Sequence, residues 1–199
     1  MEHFVLRFAS KQDAPHLLEL YRPYIEETDI TFEYEVPTVA EFEHRIAEIS
    51  SFYPYLVCEQ GDRIIGYAYA HRQAERAAYQ WNAELSVYLD NTYLQHGIGK
   101  VLYSALIELL RLQHVCNVYG CLTSPNPRSE HLHEKMGFKR IGVFQDTGYK
   151  LGCWHDVVWY EKSLVDRATP PKPLKSIHEV DPQLIFGVLN RFAEQLNGG

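Results

Sequence analysis

The chain has 199 residues, of which 46% are hydrophobic and 23% are charged, so its length and composition allow one globular domain with a sizeable core. Its formal net charge of −7 argues against a nucleic-acid partner, because phosphate backbones are held by clustered Lys and Arg residues that this sequence lacks. No apolar stretch approaches the roughly 20 residues of a membrane span, so we expect no membrane partner.

The first ninety residues predict a strand, two helices and three further strands. Two capping boxes, Ser10 with Asp13 and Thr38 with Glu41, mark helix starts, because each pair satisfies free amides of a first helical turn. The turn at Gly61 joins two strands as a hairpin. The predicted strands are 4–8, 55–59, 63–70 and about 79–89, and the helices follow the two capping boxes.

The rest of the chain predicts a helix, a strand, a short helix and two strands before a C-terminal extension. The helix after Gly99 carries a broad apolar stripe, which indicates burial against a sheet. The strand at 118–123 is expected to return parallel to the strand before that helix. The remaining elements are a helix at 127–135 that ends at Gly137, strands at 138–143 and 154–164, a proline-containing linker at 165–180 and an amphipathic helix at 181–199.

This order of elements predicts a single α/β (α+β) domain over residues 1–164, in which helices flank a central sheet. The final helix has one apolar face, which either docks on its own domain or forms a subunit contact.

Gly97-Ile98-Gly99 lies where a strand ends and an amphipathic helix begins. This junction is either a simple tight turn or an anion site, since glycines let backbone amides approach a ligand and the first turn of a helix attracts phosphate. A dinucleotide fingerprint would need a third glycine, but Leu102 stands there, and no Gly-Lys-Ser/Thr follows. The pattern therefore favours a phosphorylated ligand that is neither a dinucleotide nor a nucleoside triphosphate.

The element order and the loop Leu94-x-x-Gly97-x-Gly99 resemble the GNAT acetyltransferases, whose loop holds the pyrophosphate of acetyl-CoA. Residues 78–88, AYQWNAELSVY, resemble the phosphinothricin and methionine sulfone acetyltransferase group within that superfamily, and segments 24–33, 133–138 and 148–157 agree. The resemblance covers about residues 3–164 and implies a mixed, mostly antiparallel sheet. It departs at Leu94, where the family usually has Arg or Gln.

The resemblance implies an acetyl-CoA-dependent N-acetyltransferase and assigns its catalytic residues. Glu84 is the expected base, His133 the candidate acid or proton relay, and the amide near Tyr88 the expected donor to the thioester oxygen, freed by a bulge in the strand. From the residues alone, a solvated carboxylate is the favoured interpretation of Glu84 and a structural histidine that of His133. The expected acetyl-CoA contacts are Val87, Tyr88, Leu89, Gln95, His96, Gly97, Ile98, Gly99, Lys100 and Asn126, the last of which could also be a plain turn residue.

For the acceptor, the resemblance points to the α-amino group of a small amino-acid-like compound with an anionic or strongly polar side group. Phe32, Arg76 and Tyr79 match positions near that substrate, and Arg72 is a weaker candidate. Other acceptors stay open, namely peptide N-termini, polyamines and aminoglycosides, as does a non-catalytic acyl-CoA-binding module. No metal is expected, because His131 and His133 would point to different faces of one helix.

The four cysteines are scattered without a Cys-x-x-Cys pair, which favours free thiols and a cytoplasmic location. None lies in a recognisable nucleophile setting, so direct attack by the amine is expected rather than an acyl-enzyme. The family resemblance and the apolar final helix together predict a homodimer.

Overall fold

A seven-stranded sheet organises the computed structural model, which describes residues 3–94, 96–165 and 170–198. Neighbouring strands are antiparallel except for the central parallel pair β4–β5, which confirms the predicted mixed, mostly antiparallel sheet. In the spatial order β1-β2-β3-β4-β5-β7-β6, the strands are β1 (Phe4–Phe8), β2 (Tyr55–Gln60), β3 (Arg63–Arg72), β4 (Asn82–Leu89), β5 (Asn117–Ser124), β6 (Lys139–Lys150) and β7 (Cys153–Ser163).

The helices begin where the sequence supplies their caps. In both predicted capping boxes the carboxylate accepts from the cap amide, at 2.7 Å for Ser10 to Asp13 and 2.7 Å for Thr38 to Glu41. The first box opens a single 3-10 turn that leads into the first α-helix. The helices are α1 (Ala14–Glu27), α2 (Val39–Ser50), α3 (Ile98–Leu112), α4 (Pro127–Lys135) and α5 (Pro182–Asn197).

The two faces of the sheet bury different kinds of side chain. One face packs on α3, whose apolar stripe is buried as predicted except for the partly buried Leu112. The other face packs on α1 and α2 and is rich in tyrosine, with Tyr21, Tyr55 and Tyr67 all buried. The sheet therefore separates an aliphatic core from an aromatic one that carries hydroxyl groups.

Strand β4 contributes to both faces by alternation. Ala83 and Leu85 are buried in the α3 core, while Tyr88 packs against the aromatic core. Its pairing with β3 runs without a register shift, so the bulge expected there was wrong. Instead, β4 pairs with β5 only at its first three residues and then diverges from it. Where the backbone hydrogen bonds between β4 and β5 end, the Tyr103 hydroxyl donates to the Leu85 carbonyl at 3.2 Å.

Two strand boundaries differ from the prediction by more than two residues. β4 begins at Asn82, because residues Ala77–Tyr79 form a 3-10 turn. β6 continues to Lys150 instead of ending at 143, since its pairing with β7 resumes after a register shift between Phe144 and Gly148. Tertiary pairing thus extends a segment whose local sequence indicates a loop.

The C-terminal helix α5 packs on α3 and β1 of its own domain. Val188, Leu189 and Phe192 are buried there, and the Asn197 side chain bonds the amide of Phe4 at 2.8 Å and its carbonyl at 3.0 Å. Residues 166–169 of the predicted linker lie outside the described residues. Among the helices that are described, none has both the length and the apolar character needed to cross a membrane.

Candidate functional site

A cleft of about 520 Å³ opens where β4 and β5 diverge. Its walls come from the end of α1, the end of β4, the start of α3 and one face of α4. The lining residues are Pro23, Tyr24, Thr28, Ile30, Val87, Leu89, Asn91, Leu94, Gly97, Ile98, Gly99, Lys100, Asn126, Arg128, Ser129, His131, Leu132 and Lys135. Its volume and its mix of apolar walls with a few charged groups suit an organic ligand.

The start of α3 forms one end of the cleft. Gly97 is its N-cap with a φ of 78°, a left-handed conformation that favours glycine, and its carbonyl accepts from Val101 at 3.1 Å. The amides of Ile98, Gly99 and Lys100 have no acceptor within the helix, so they are available to an anion. A Cβ at Gly99 would lie 3.4 Å from the Leu89 side chain, so glycine lets α3 begin close against β4.

Three cations line this cleft although the chain as a whole is acidic. They are Lys100 from α3 and Arg128 and Lys135 from α4. Sequence reasoning missed the two on α4, yet Arg128, His131 and Lys135 have the spacing of a single helical face. The free amides and these cations together fit a ligand that carries phosphate.

Most of the predicted cofactor residues line the cleft, but two of those that the structure describes do not. Val87, Leu89, Asn126 and the four residues from Gly97 to Lys100 line it, and so does the discordant Leu94. The lining set drawn from the described residues does not include Tyr88 or His96, and Gln95 lies outside those residues. Asn126 also caps α4, since its Oδ1 accepts from the Ser129 amide at 3.2 Å.

The last residues of β4 turn some of their backbone amides and carbonyls toward the cleft. The Tyr24 hydroxyl donates to the Leu89 carbonyl at 2.6 Å and accepts from the Leu89 amide at 3.3 Å. Because amides alternate sides along a strand, the next one facing the cleft belongs to Val87, and that of Tyr88 faces β3. The geometry therefore favours the Val87 amide over the Tyr88 amide as the hydrogen-bond donor to an oxyanion in the cleft. The Tyr88 ring packs 4.7 Å from that of Tyr21.

Glu84 lies on the tyrosine-bearing face of β4, as alternation predicts. Its side chain is 20% exposed, and its Oε1 is 3.9 Å from the Nε2 of His71 on β3. Burial raises the pKa of this carboxyl, and His71 partly offsets the rise. A carboxylate with a raised pKa is a better base than an ordinary one, so this position suits proton abstraction.

His133 is buried against α3 and β5, with 1% exposure. Its Nδ1 donates to the Ser129 carbonyl at 2.8 Å, and burial lowers the pKa of the imidazole. The Nε2 lies over Gly120, 3.4 Å from the Tyr103 hydroxyl. A neutral ring whose Nδ1 carries the proton has none on Nε2 to donate, so this geometry argues against His133 as the acid. His131 lines the cleft, so the two histidines do face different sides of α4.

The predicted acceptor residues lie on two separate elements. The Phe32 ring covers Gly148 so closely that a Cβ there would lie 2.2 Å from it, and Lys150 fixes the same loop by donating to the Thr31 carbonyl at 2.7 Å. Arg76 caps the 3-10 turn before β4, and Tyr79 is 47% exposed in it. Within the described residues, no hydrogen bond, ion pair or ring contact joins Phe32 to that turn. Arg72 donates to the Glu75 carbonyl at 3.2 Å.

A small pocket of about 110 Å³ lies on the same face of the sheet as Glu84. Arg45 of α2 donates to both oxygens of Glu33, at 2.8 and 3.0 Å, and Tyr21 donates to Glu33 at 3.0 Å. The pocket is lined by Tyr21, Glu33, Phe42, Arg45, Glu48, Ile49, Tyr55, Tyr67 and Tyr69. Sequence reasoning missed this polar pocket, although the period-two tyrosines of β3 indicate a hydroxyl-bearing face.

Known proteins resemble this chain over most of its length. A family model described as an acetyltransferase (GNAT) domain matches residues 6–159. A phosphinothricin N-acetyltransferase from Streptomyces viridochromogenes is 30% identical over 175 residues, which cover 88% of this chain and 95% of that protein. An L-methionine sulfoximine/L-methionine sulfone acetyltransferase from Salmonella typhimurium is 27% identical, covering 83% and 97%.

One solved structure bears on the cleft directly. The crystal structure of a GNAT superfamily phosphinothricin acetyltransferase from Sinorhizobium meliloti, in complex with AcCoA, matches with a TM-score of 0.80 and 30% identity. The match covers 90% of this chain and 96% of that one. The family match includes Glu84 and every residue of the cleft, whereas α5 lies outside it. Among the described residues, no group of three or more His, Cys, Asp or Glu could hold a metal ion.

Proposed function

Because the chain belongs to the GNAT acetyltransferase family and is an N-acetyltransferase that uses acetyl-CoA, we propose that it acetylates the α-amino group of a small amino-acid-like acceptor. One observation carries the proposal: a single strand, β4, lines the donor cleft with Val87 and Leu89 and places the half-buried Glu84 on its tyrosine-bearing face. An amine bound on that face would meet both the base and the donor.

The donor end of the reaction uses backbone amides and cationic side chains of the cleft. Acetyl-CoA supplies the acetyl group as a thioester. The amides at the start of α3 would hold its pyrophosphate, supported by Lys100, Arg128 and Lys135, and Asn126 would contact its pantetheine arm. The Val87 amide would donate to the carbonyl oxygen as negative charge develops there.

Glu84 would take the proton of the acceptor ammonium, so that the neutral amine attacks directly. The thiol that faces Glu84 belongs to Cys121, and loss of hydration together with Glu84 raises its pKa to about 12. It is therefore a neutral thiol at pH 7 and a poor nucleophile, which supports direct attack over an acyl-enzyme. We give His133 a structural role outside the cleft lining, where it packs against Tyr103 and Phe138.

The acceptor side supports a polar amino acid. In this proposal the acceptor binds beside Phe32, the Arg76–Tyr79 turn and the tyrosine pocket. The relatives are named for the acceptors phosphinothricin, methionine sulfone and methionine sulfoximine. Arg76 would suit a carboxylate or phosphinate group, which it can bind with two hydrogen bonds.

We expect the highest kcat/KM for methionine sulfone, methionine sulfoximine or phosphinothricin in an acetyl-CoA turnover assay against a panel of amines. The panel includes ordinary amino acids, spermidine, an aminoglycoside and a short peptide. N-formyl-methionine sulfone is the matched control, because it lacks the free α-amine and should not react. Turnover confined to the polyamine, the aminoglycoside or the peptide would contradict the acceptor class, and CoA binding without any turnover would support the non-catalytic alternative.

We also propose a homodimer, and the surface that supports it is the β6–β7 hairpin. β6 is an edge strand that is exposed over most of its length, and exposed apolar side chains on such a strand favour pairing with another chain. The exposed large apolar residues of the hairpin are Ile141, Val143, Phe144, Tyr149, Leu151 and Trp154. The apolar face of α5, in contrast, is occupied by its own domain.

Trp154→Asp is expected to weaken the dimer at least about tenfold, because a charge would replace an aromatic ring that is 60% exposed in the single chain. Light scattering at micromolar concentration measures this directly. The matched control is Phe186→Asp on α5, a residue that is 67% exposed. A wild-type monomer, or dissociation by the α5 variant alone, would contradict the proposed surface. We place the enzyme in the cytoplasm, since Cys58, Cys121 and Cys153 are free thiols.

A further inference from the structure

Glu84 has a histidine as its direct neighbour on the adjacent strand. His71 of β3 is the register partner of Glu84 on β4, and its Nε2 is 3.9 Å from the Glu84 Oε1. The His71 side chain is 40% exposed, twice the fraction of Glu84. The pair therefore runs from a half-buried carboxylate to an imidazole in contact with solvent.

The hydrogen bonding of His71 sets which nitrogen carries the proton. Its Nδ1 lies 3.0 Å from the Arg72 carbonyl oxygen. A carbonyl only accepts, so Nδ1 must donate, and the neutral ring then has a lone pair on Nε2. That lone pair is on the ring atom 3.9 Å from the Glu84 Oε1, so a small rotation of the His71 side chain must shorten this distance before a proton can pass.

Acetyl transfer to an ammonium group releases one proton in every turnover. The C–N bond of the amide forms and the C–S bond of the thioester breaks. The nitrogen loses two protons, of which one ends on the sulfur and the other must reach solvent. If Glu84 is the base of the proposed function, on which this inference rests, its carboxyl has to lose a proton before the next cycle.

We propose that His71 is the relay through which this proton leaves the site. The Glu84 carboxylic acid passes it to the His71 Nε2, and the resulting imidazolium passes it to water or buffer. His71 touches neither acetyl-CoA nor the acceptor in this scheme and acts through Glu84.

The other titratable groups that interact electrostatically with Glu84 cannot take over this step at neutral pH. They are Tyr69 on β3, Tyr103 on α3 and Cys121 on β5. Burial raises the pKa of each of the three, so all hold their own protons and have no vacant site for another. Among these neighbours of Glu84, His71 is the one that has a vacant nitrogen lone pair, on Nε2.

The test compares the full-length wild type with His71→Ala and His71→Gln at saturating substrates in weak buffer, using the acceptor of highest turnover from the amine panel. Both variants should lose about tenfold in kcat, and added imidazole should restore His71→Ala without changing the wild type. The acid limb of kcat/KM should also move to higher pH in His71→Ala, because the imidazolium no longer stabilises the Glu84 carboxylate. His16→Ala, at an exposed histidine in the first turn of α1, is the matched control.

An unchanged kcat in His71→Ala, or a loss that imidazole does not restore, would overturn the relay. The role of Glu84 as the base is tested separately by Glu84→Gln. If Glu84 is not the base, this variant should remain active. A silent His71→Ala beside an inactive Glu84→Gln rejects the relay alone. An active Glu84→Gln rejects the base and the relay together.

Discussion

Glu84→Gln is expected to lower kcat/KM by about 10²- to 10⁴-fold, the usual contribution of a positioned general base. The amide keeps the size of the carboxylate but cannot take the ammonium proton. In the wild type, activity should fall as pH drops through the pKa of Glu84, and this fall should begin at a higher pH than for an ordinary glutamate, because burial raises that pKa. The variant should lack this limb in its residual activity.

The same substitution separates catalysis from stability. A carboxyl whose pKa is raised in the folded state stabilises the fold while protonated, and that stabilisation is lost as pH rises through the folded pKa. Glu84→Gln should therefore melt at or above the wild-type temperature at pH 8, and calorimetry should give unchanged acetyl-CoA affinity. Glu19→Gln, at an exposed position on α1, is the control. Near-normal kcat/KM across pH in Glu84→Gln would remove Glu84 from the mechanism.

Gly120→Ala is expected to destabilise the protein by about 1–3 kcal/mol, the cost of overpacking a well-filled core. A Cβ at this β5 position would lie 2.3 Å from the Nε2 of His133, which is itself buried. Thermal melting should show the loss as several degrees in Tm, since about 1 kcal/mol corresponds to roughly 2–4 °C for a chain of this size.

Gly142→Ala on β6 is the matched control, because a Cβ there meets nothing within 4 Å. Its effect should stay within about 0.5 kcal/mol. His133→Ala and the double variant complete a cycle in which the double should cost less than the sum of the singles, since removal of the ring makes room for the new methyl group. Strict additivity, or a Gly120→Ala variant as stable as Gly142→Ala, would show that the contact does not limit this position.

The features that follow local rules could be predicted from the sequence. Thr38 with Glu41 caps α2, the run around Gly97 begins α3, and alternation along β4 puts Glu84 opposite the α3 core. Each of these depends on a few neighbouring residues with a defined period or backbone preference. The general position of the donor cleft follows from the same local signals.

The features that depend on distant segments could not be predicted in this way. The tyrosine pocket combines α1, α2, β2 and β3, and the Glu33–Arg45 pair that borders it joins a loop to a helix. The Tyr24 bond to Leu89 spans 65 residues, and it identifies Val87 as the next free amide on the cleft side. The neutral state of His133 depends on its burial beneath β5, which no local pattern reveals.

The alternation of β4 also makes one misfolded form of the protein, with β4 shifted in register, unstable. A shift of one residue in its pairing with β3 would turn Glu84 into the aliphatic core and expose Leu85, which is 3% exposed in the structure. An unpaired carboxylate in that core costs several kcal/mol, a large share of the stability of an average domain. A chain with β4 out of register would therefore unfold rather than persist as an inactive enzyme. Any population that retains the folded sheet should carry Glu84 on the tyrosine-bearing face of β4.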